Sequence, residues 1–167
     1  MAIGYSLVSF GGLGFFGTAL VALGGFPWLQ PTFEWPVGRA RGVLVMPSGE
    51  RVVPLKTASR IQVYDSAGRF LRGWQVGASG GAFILRLDES KKIEVLTSRG
   101  DRRYLYSLDG ELLSQDTYAP GRYSEFYEKG EPLSIPTHWW LWMLTSPFHS
   151  WIVAALGGIL LFLNGRK

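Results

Sequence analysis

Cysteine is absent from this chain of 167 residues, and histidine occurs only at His138 and His149. The first absence removes disulfides, thiolate metal sites and cysteine nucleophiles together. The second leaves the charged middle of the chain without an imidazole, so a Ser-His-Asp arrangement cannot be assembled there. Charge itself is missing in two blocks, from Met1 to Leu29 and from Trp139 to Leu163. All 13 acidic residues and 15 of the 17 basic ones lie between Glu34 and Glu131, with Arg166 and Lys167 beyond. The net charge of +4 is spread thinly, with no run of Lys and Arg interleaved with aromatics, so nothing marks a nucleic-acid footprint.

What fills the uncharged ends is apolar. A bilayer core about 30 Å thick takes roughly 20 apolar residues in helical form. Tyr5 to Leu29 supplies 25 uncharged residues rich in Leu, Val, Phe and Gly. Nothing basic precedes them, unlike the n-region of a cleaved signal peptide, so a retained span within residues 1–33 is expected. Trp28 and Trp35 then fit the aromatic belt of a membrane surface, as do Trp139, Trp140 and Trp142 at the start of a second apolar segment, residues 137–167. Pro147 forces a kink or a fresh helix start near Ser146. Two forms follow: one tilted span from Trp139 to Leu163, or an interfacial Trp-rich turn feeding a shorter span from Pro147. Gly14, Thr18 and Ala22, and likewise Ala154 and Gly158, recur at helical spacing and would let helices approach closely. Two cues to the domain's side conflict. The basic tip Arg166-Lys167 puts both termini in the cytoplasm and the middle domain outside it, whereas Arg39 and Arg41 after an uncharged N-terminus argue the reverse. Long translocated loops largely escape the positive-inside rule, which favours the first.

The middle segment, residues 34–136, reads as all-β. Phe83, Leu85 and Leu87 alternate with Ile84, Arg86 and Asp88, a period of two. Turn signals recur at Pro47-Ser-Gly49, Asp65-Ser-Ala-Gly68, Asp88-Glu-Ser90, Arg99-Gly-Asp101 and Asp109-Gly110, which divides the segment into about eight short antiparallel strands. The strands repeat. Val63-Tyr-Asp-Ser-Ala-Gly68-Arg-Phe-Leu71 aligns with Leu105-Tyr-Ser-Leu-Asp-Gly110-Glu-Leu-Leu113, and the hairpin around Gly49 parallels the one around Ser90. Two units result, about 41–74 and 81–115, each of four strands. That size and composition match a β-propeller blade.

Arg60-Ile-Gln-Val-Tyr-Asp-Ser-Ala-Gly-Arg-Phe-Leu-Arg72 resembles the outer hairpin of an NHL-repeat blade. The resemblance covers Arg41 to Gln115 and is closer in the first unit than in the second. The polar Asp and Asn that usually precede the Arg-Ile strand are replaced by Leu55-Lys-Thr-Ala-Ser59. The resemblance therefore implies blade-like architecture without the family's ligand-binding surfaces. Propellers close with about four to eight blades. Two units should thus either fold on each other or meet another subunit through their open faces, as three copies completing six blades would do.

The inventory for chemistry is poor. Gly77-Ala-Ser-Gly-Gly81 lacks the following Lys-Ser/Thr of a phosphate loop and precedes a strand, so it reads as a connection between units. Asp65, Asp88, Asp101 and Asp109 stand where turns use Asp for local hydrogen bonds. His149 is singled out, because a titratable side chain in an apolar span is a functional candidate as a cofactor ligand or as a hydrogen-bonding group. Tyr118, Tyr123, Phe126 and Tyr127 surround an Ala-Pro-Gly-Arg loop and form a candidate interaction surface, or else a strap over the sheet edge. The expectation is a non-enzymatic membrane scaffold or accessory subunit, partnered by lipid and other membrane subunits or by its own copies, with no cofactor. A cofactor-bearing subunit of an electron-transfer or photosynthetic complex, and a ligand-binding membrane sensor, are the alternatives.

Overall fold

The structure, a computed structural model, describes residues 1–24, 31–126 and 131–165. Among the described residues, helix α1 (Ala2–Ala22) and helix α2 (Pro147–Asn164) enclose a middle of nine strands. These are β1 (Gly38–Val45), β2 (Arg51–Leu55), β3 (Arg60–Tyr64), β4 (Phe70–Gln75), β5 (Phe83–Leu87), β6 (Ile93–Thr97), β7 (Arg102–Tyr106), β8 (Leu112–Thr117) and β9 (Glu131–Ile135). They form two antiparallel sheets, ordered β4-β3-β2-β1-β9 and β5-β6-β7-β8. Eight of these strands make up the two four-strand units, and β9 lies beyond them. It pairs with β1 at the sheet edge, where Pro132 costs no ladder hydrogen bond.

The internal repeat holds residue by residue. Arg51 faces Tyr64 across β2 and β3, and 42 residues on Ile93 faces Tyr106 across β6 and β7. Both outer hairpins carry the same irregularity, after Val63 and after Leu105. Their turns use the same hydrogen bonds: Asp65 Oδ1 accepts from the amides of Ala67 and Arg69, and Ser107 Oγ accepts from those of Asp109 and Glu111. Gly110, at φ +88°, closes the second turn, and a Cβ there would come within 2.6 Å of the Trp74 ring of the first unit.

The two sheets pack on each other, with β5 against β1 and β2. Leu44, Val52, Ile61, Val63 and Trp74 from the first sheet meet Phe83, Leu85, Ile93, Val95, Tyr104 and Tyr106 from the second. These two sets are not equivalent under the 42-residue shift. The counterparts of Leu85, Val95 and Tyr106 are Val43, Val53 and Tyr64, which lie on the other side of the first sheet in a separate core. The front of unit one therefore packs on the back of unit two, a head-to-tail stack rather than a two-fold sandwich. The front of unit two, which meets no third sheet among the described residues, carries Arg86, Glu94, Arg103 and Asp116 where unit one has Leu44, Val52, Ile61 and Trp74. A charged outer face is how a repeat array ends.

At the ends of the chain, the helices form an antiparallel pair. Gly11 lies so near α2 that a Cβ would come within 2.4 Å of the Ala154 nitrogen, and one on Gly157 within 2.7 Å of the Val8 nitrogen. Thr18, fully buried, donates its hydroxyl to the Gly14 carbonyl at 2.8 Å. Gly158 faces open space, so the stripe on α2 runs through Ser150, Ala154 and Gly157. Both helices are long and apolar enough to cross a membrane. Ser146 caps α2 by accepting from the Phe148 amide at 3.3 Å, and Pro147 occupies the first helical position. Residues Trp139–Thr145 form a separate 3-10 helix, so the second segment takes the turn-then-short-helix form.

Candidate functional site

The junction between the β domain and the helix pair holds a connected network of buried side-chain hydrogen bonds. It is built on β3, where Arg60, Gln62 and Tyr64 are buried on the side of the first sheet facing the helices. Gln62 reads the backbone of the linker as a strand would: its Oε1 accepts from the Trp35 amide at 2.6 Å, and its Nε2 donates to the Trp35 carbonyl at 3.0 Å. Nε2 also donates to the Tyr64 hydroxyl, which in turn donates to Glu34 Oε1 at 2.9 Å. Arg60 donates to the Phe33 carbonyl at 2.7 Å and to Gln62 Oε1 at 3.3 Å. Burial, partly offset by Tyr64, draws the Arg60 guanidinium below its ordinary range. Burial first, then the Glu34 carboxylate, pushes the Tyr64 hydroxyl well above the tyrosine range.

Further bonds fasten the sheet to the helix ends. Gln75 donates to the Val21 carbonyl near the end of α1 and to Ala58. The Gly73 amide donates to Pro31 at 3.0 Å, which covers the edge of β4. Thr57 donates to the Thr145 carbonyl at 3.1 Å, one residue before the cap of α2. Trp35 corrects an expectation here. It is 8% exposed and packs in the junction core, its indole N–H donating to the Leu144 carbonyl at 3.2 Å, and it does not face outward as a surface anchor. Trp139, Trp140 and Trp142 do project, at 86%, 55% and 46% exposure. Trp28 and Tyr127 lie outside the described residues.

His149 sits in the first turn of α2, stacked on Trp142 with ring centroids 4.0 Å apart and planes 13° apart. Its Nδ1 lies 3.2 Å from the Trp142 carbonyl, which can only accept, and 3.0 Å from Thr145 Oγ1. The Thr145 hydroxyl already donates to the same carbonyl at 2.8 Å. His138 stacks on Trp140 outside the helix.

The segment after β8 returns across the front of the second sheet. Tyr118 donates its hydroxyl to the Thr97 carbonyl and packs edge-on against Phe126, with centroids 5.1 Å apart. The Arg86 guanidinium lies 5.7 Å from the Phe126 centroid. Tyr118, Tyr123 and Phe126 are half-buried, so this stretch is a strap whose aromatic edges remain accessible. Burial first, then Asp101, raises the Tyr118 hydroxyl.

No protein-family model matches the chain, and no curated protein matches it. The reading therefore rests on its own geometry. The sequence left the strap and the Trp-rich turn each as one of two alternatives, and it gave no sign of the Gln62 network. Arg60 and Gln62 alternate with Ile61 and Val63, a pattern that ordinarily marks a solvent face. Their burial depends on a linker and helix ends that the strand pattern does not reveal.

Proposed function

We propose that this chain is a non-catalytic, membrane-anchored scaffold or accessory subunit, crossing the bilayer twice and presenting its β domain to other subunits of a membrane complex. The observation that carries this reading is the junction. A domain acting alone on a soluble ligand needs only a tether, and Gly- or Ser-rich chain suffices for that. Here Phe33 and Trp35 are held along β3 by side chains that read their backbone, the end of α1 is hydrogen-bonded to β4, and the residue before the cap of α2 is hydrogen-bonded to the turn after β2. Such a domain keeps one orientation relative to the helix pair. The exactness of the 42-residue register supports NHL-like, blade-derived units, and the charged front of unit two supports a stack that ends at two rather than a ring closed by further copies.

The surface best suited to a partner is the free edge of β8. All six of its residues are exposed, Leu112 and Leu113 among them, and its outer backbone pairs with no described strand. Such an edge accepts an added strand. The basic tip Arg166-Lys167 supports a β domain outside the cytoplasm. The test is the mass of the intact chain, with its companions, extracted from its native membrane in mild detergent. A discrete heteromeric complex is expected, reduced to the bare chain by Leu112→Lys with Leu113→Lys. A lone monomer from the native membrane overturns the reading, and a homotrimer redirects it to blade completion.

A second reading has one specific observation in its favour. His149, with Nδ1 held by a backbone carbonyl, presents Nε2 as a ligand atom would be presented. A cofactor-bearing subunit predicts a visible absorption band in the purified complex that His149→Leu abolishes.

A further inference from the structure

The 42-residue repeat extends to the way each unit holds the chain that crosses it. In unit one the linker before β1 is gripped at two carbonyls. The Gly73 amide, on the outer edge of β4, donates to Pro31, and the Arg60 guanidinium donates to Phe33. Gln62 then donates to the Trp35 carbonyl. In unit two the equivalent of Trp35 is Gly77, and Tyr104, the equivalent of Gln62, donates its hydroxyl to the Gly77 carbonyl at 3.2 Å. The other two donors recur as well. Arg102 stands where Arg60 stands, and Gln115 pairs with Tyr104 as Gly73 pairs with Gln62. Here the equivalence stops. The carbonyls due to Gln115 and Arg102 belong to Gly73 and Gln75, which β4 keeps in the first sheet opposite Gln62 and Arg60. The Gln115 amide bonds to no described backbone group.

Alternation along the ladder fixes which amides of β8 point outward. The Tyr118 amide donates back to Asp101, so the amides of Asp116 and Ser114 face β7 and those of Gln115 and Thr117 face away. The other sheet edges are covered or blunted. Gly73 on β4 is bonded to Pro31, β9 carries Pro132, and β5 lies against β1 and β2. β8 has neither proline nor lysine, and all of its residues are exposed. Its bulge near Leu113 is matched by one near Leu71 in β4, which does not prevent the bond at Gly73.

We propose that the outer edge of β8 binds an extended linker of a partner subunit through that linker's main chain. Carbonyls two residues apart meet the Gln115 amide and the Arg102 guanidinium, as those of Pro31 and Phe33 meet Gly73 and Arg60 in unit one, and the Thr117 amide adds a further ladder bond. The inference rests on the accessory-subunit reading and names the element of the partner that is recognised: a non-helical stretch read by its backbone, with side chains secondary.

The complex is extracted from the native membrane in mild detergent. Hydrogen exchange in the bound chain is compared with that in the same chain freed of companions, resolved by residue through electron-transfer fragmentation. In the free chain the Gln115 and Thr117 amides exchange freely while those of Ser114 and Asp116 are slowed; in the complex all four are slowed. Gln115→Pro removes an outward donor only, so β8 keeps its bonds to β7 while the complex is lost. Gln115→Ala keeps the amide and the complex. Arg102→Gln speeds dissociation about tenfold. A complex in which Gln115 and Thr117 still exchange freely overturns the inference and leaves the accessory-subunit reading standing. So does a complex that Gln115→Ala disrupts as fully as Gln115→Pro. Unchanged dissociation in Arg102→Gln overturns the two-carbonyl grip. If the protected species is a dimer of this chain alone, a second copy is the occupant and the partner linker is overturned. A wild-type chain without companions in its native membrane fails the accessory-subunit reading itself, and this inference with it. Should Gln115→Pro melt early, the exchange pattern of the wild-type complex decides alone.

Discussion

Gln62 shows how one buried amide can set the relation between two parts of a chain. It makes four hydrogen bonds, and each of its linker partners is a backbone group that would otherwise be left unpaired away from water. An unsatisfied buried group costs about 1–3 kcal/mol, so the amide specifies the linker path as well as stabilising it. The tyrosines of the core carry a second consequence. Tyr64 and Tyr106 are buried, and burial is the leading cause that raises both hydroxyls above the usual range. A raised value in the folded state means stability that is complete below the unfolded value, about 10, and is lost as pH rises through and beyond it. Melting followed by tryptophan fluorescence in detergent should therefore hold level to about pH 9 and fall above about pH 10. Tyr106→Phe should flatten that alkaline fall while leaving the neutral melting temperature within a few degrees. A variant with the same alkaline slope as the wild-type chain would remove Tyr106 from the explanation.

Among the elements, the helix pair depends on absent side chains. Gly11 and Gly157 let the two backbones approach within a distance that a Cβ would violate, and Thr18 satisfies its own hydroxyl within α1. Close approach supplies the dispersion contacts that hold helices together where the surrounding medium is as apolar as the helices. Gly11→Leu should force the pair apart and destabilise the junction by about 2 kcal/mol or more, read as a lower melting temperature in nanodiscs. Gly158→Leu, on a face with open space around it, should change the melting temperature little. If the two substitutions act alike, the packing described between α1 and α2 is wrong. The β-units obey a comparable logic. The Asp109-Gly110 turn has to adopt a left-handed glycine and also leave room for the Trp74 ring, so local turn chemistry and packing between units select the same residue.

For the whole molecule, the claim is that the β domain and the helix pair move together. The absence of cysteine makes this directly measurable, since introduced thiols are the only ones to label. Spin labels at Asp109→Cys, on the exposed turn of the second unit, and Gly17→Cys, on the open face of α1, should give one narrow distance distribution by pulsed electron resonance. A broad distribution would mean a tethered domain and would count against the scaffold reading. Substituting Gln62→Ala in the labelled chain should broaden it, because the linker loses the side chain that reads its backbone.

The strand pattern, the turns, the 42-residue repeat and the two apolar helices could all be read from the sequence, because each rests on local periodicity: two for strands, 3.6 for helices, and Gly, Asp or Pro at fixed places in turns. The helix start at Ser146-Pro147 was legible for the same reason. Tertiary structure alone decided which faces meet. Leu44 and Val43 are equally apolar neighbours, yet one faces the second sheet and the other the helix junction, a choice made by how two twisted sheets stack. Trp35 has the composition of a surface anchor, and burial against Leu144 makes it a core residue. Arg60 and Gln62 look like solvent-facing residues until a linker 27 residues away in sequence covers them. Long-range contacts of this kind leave no periodic trace, since the burial of a residue depends on what the rest of the chain brings against it.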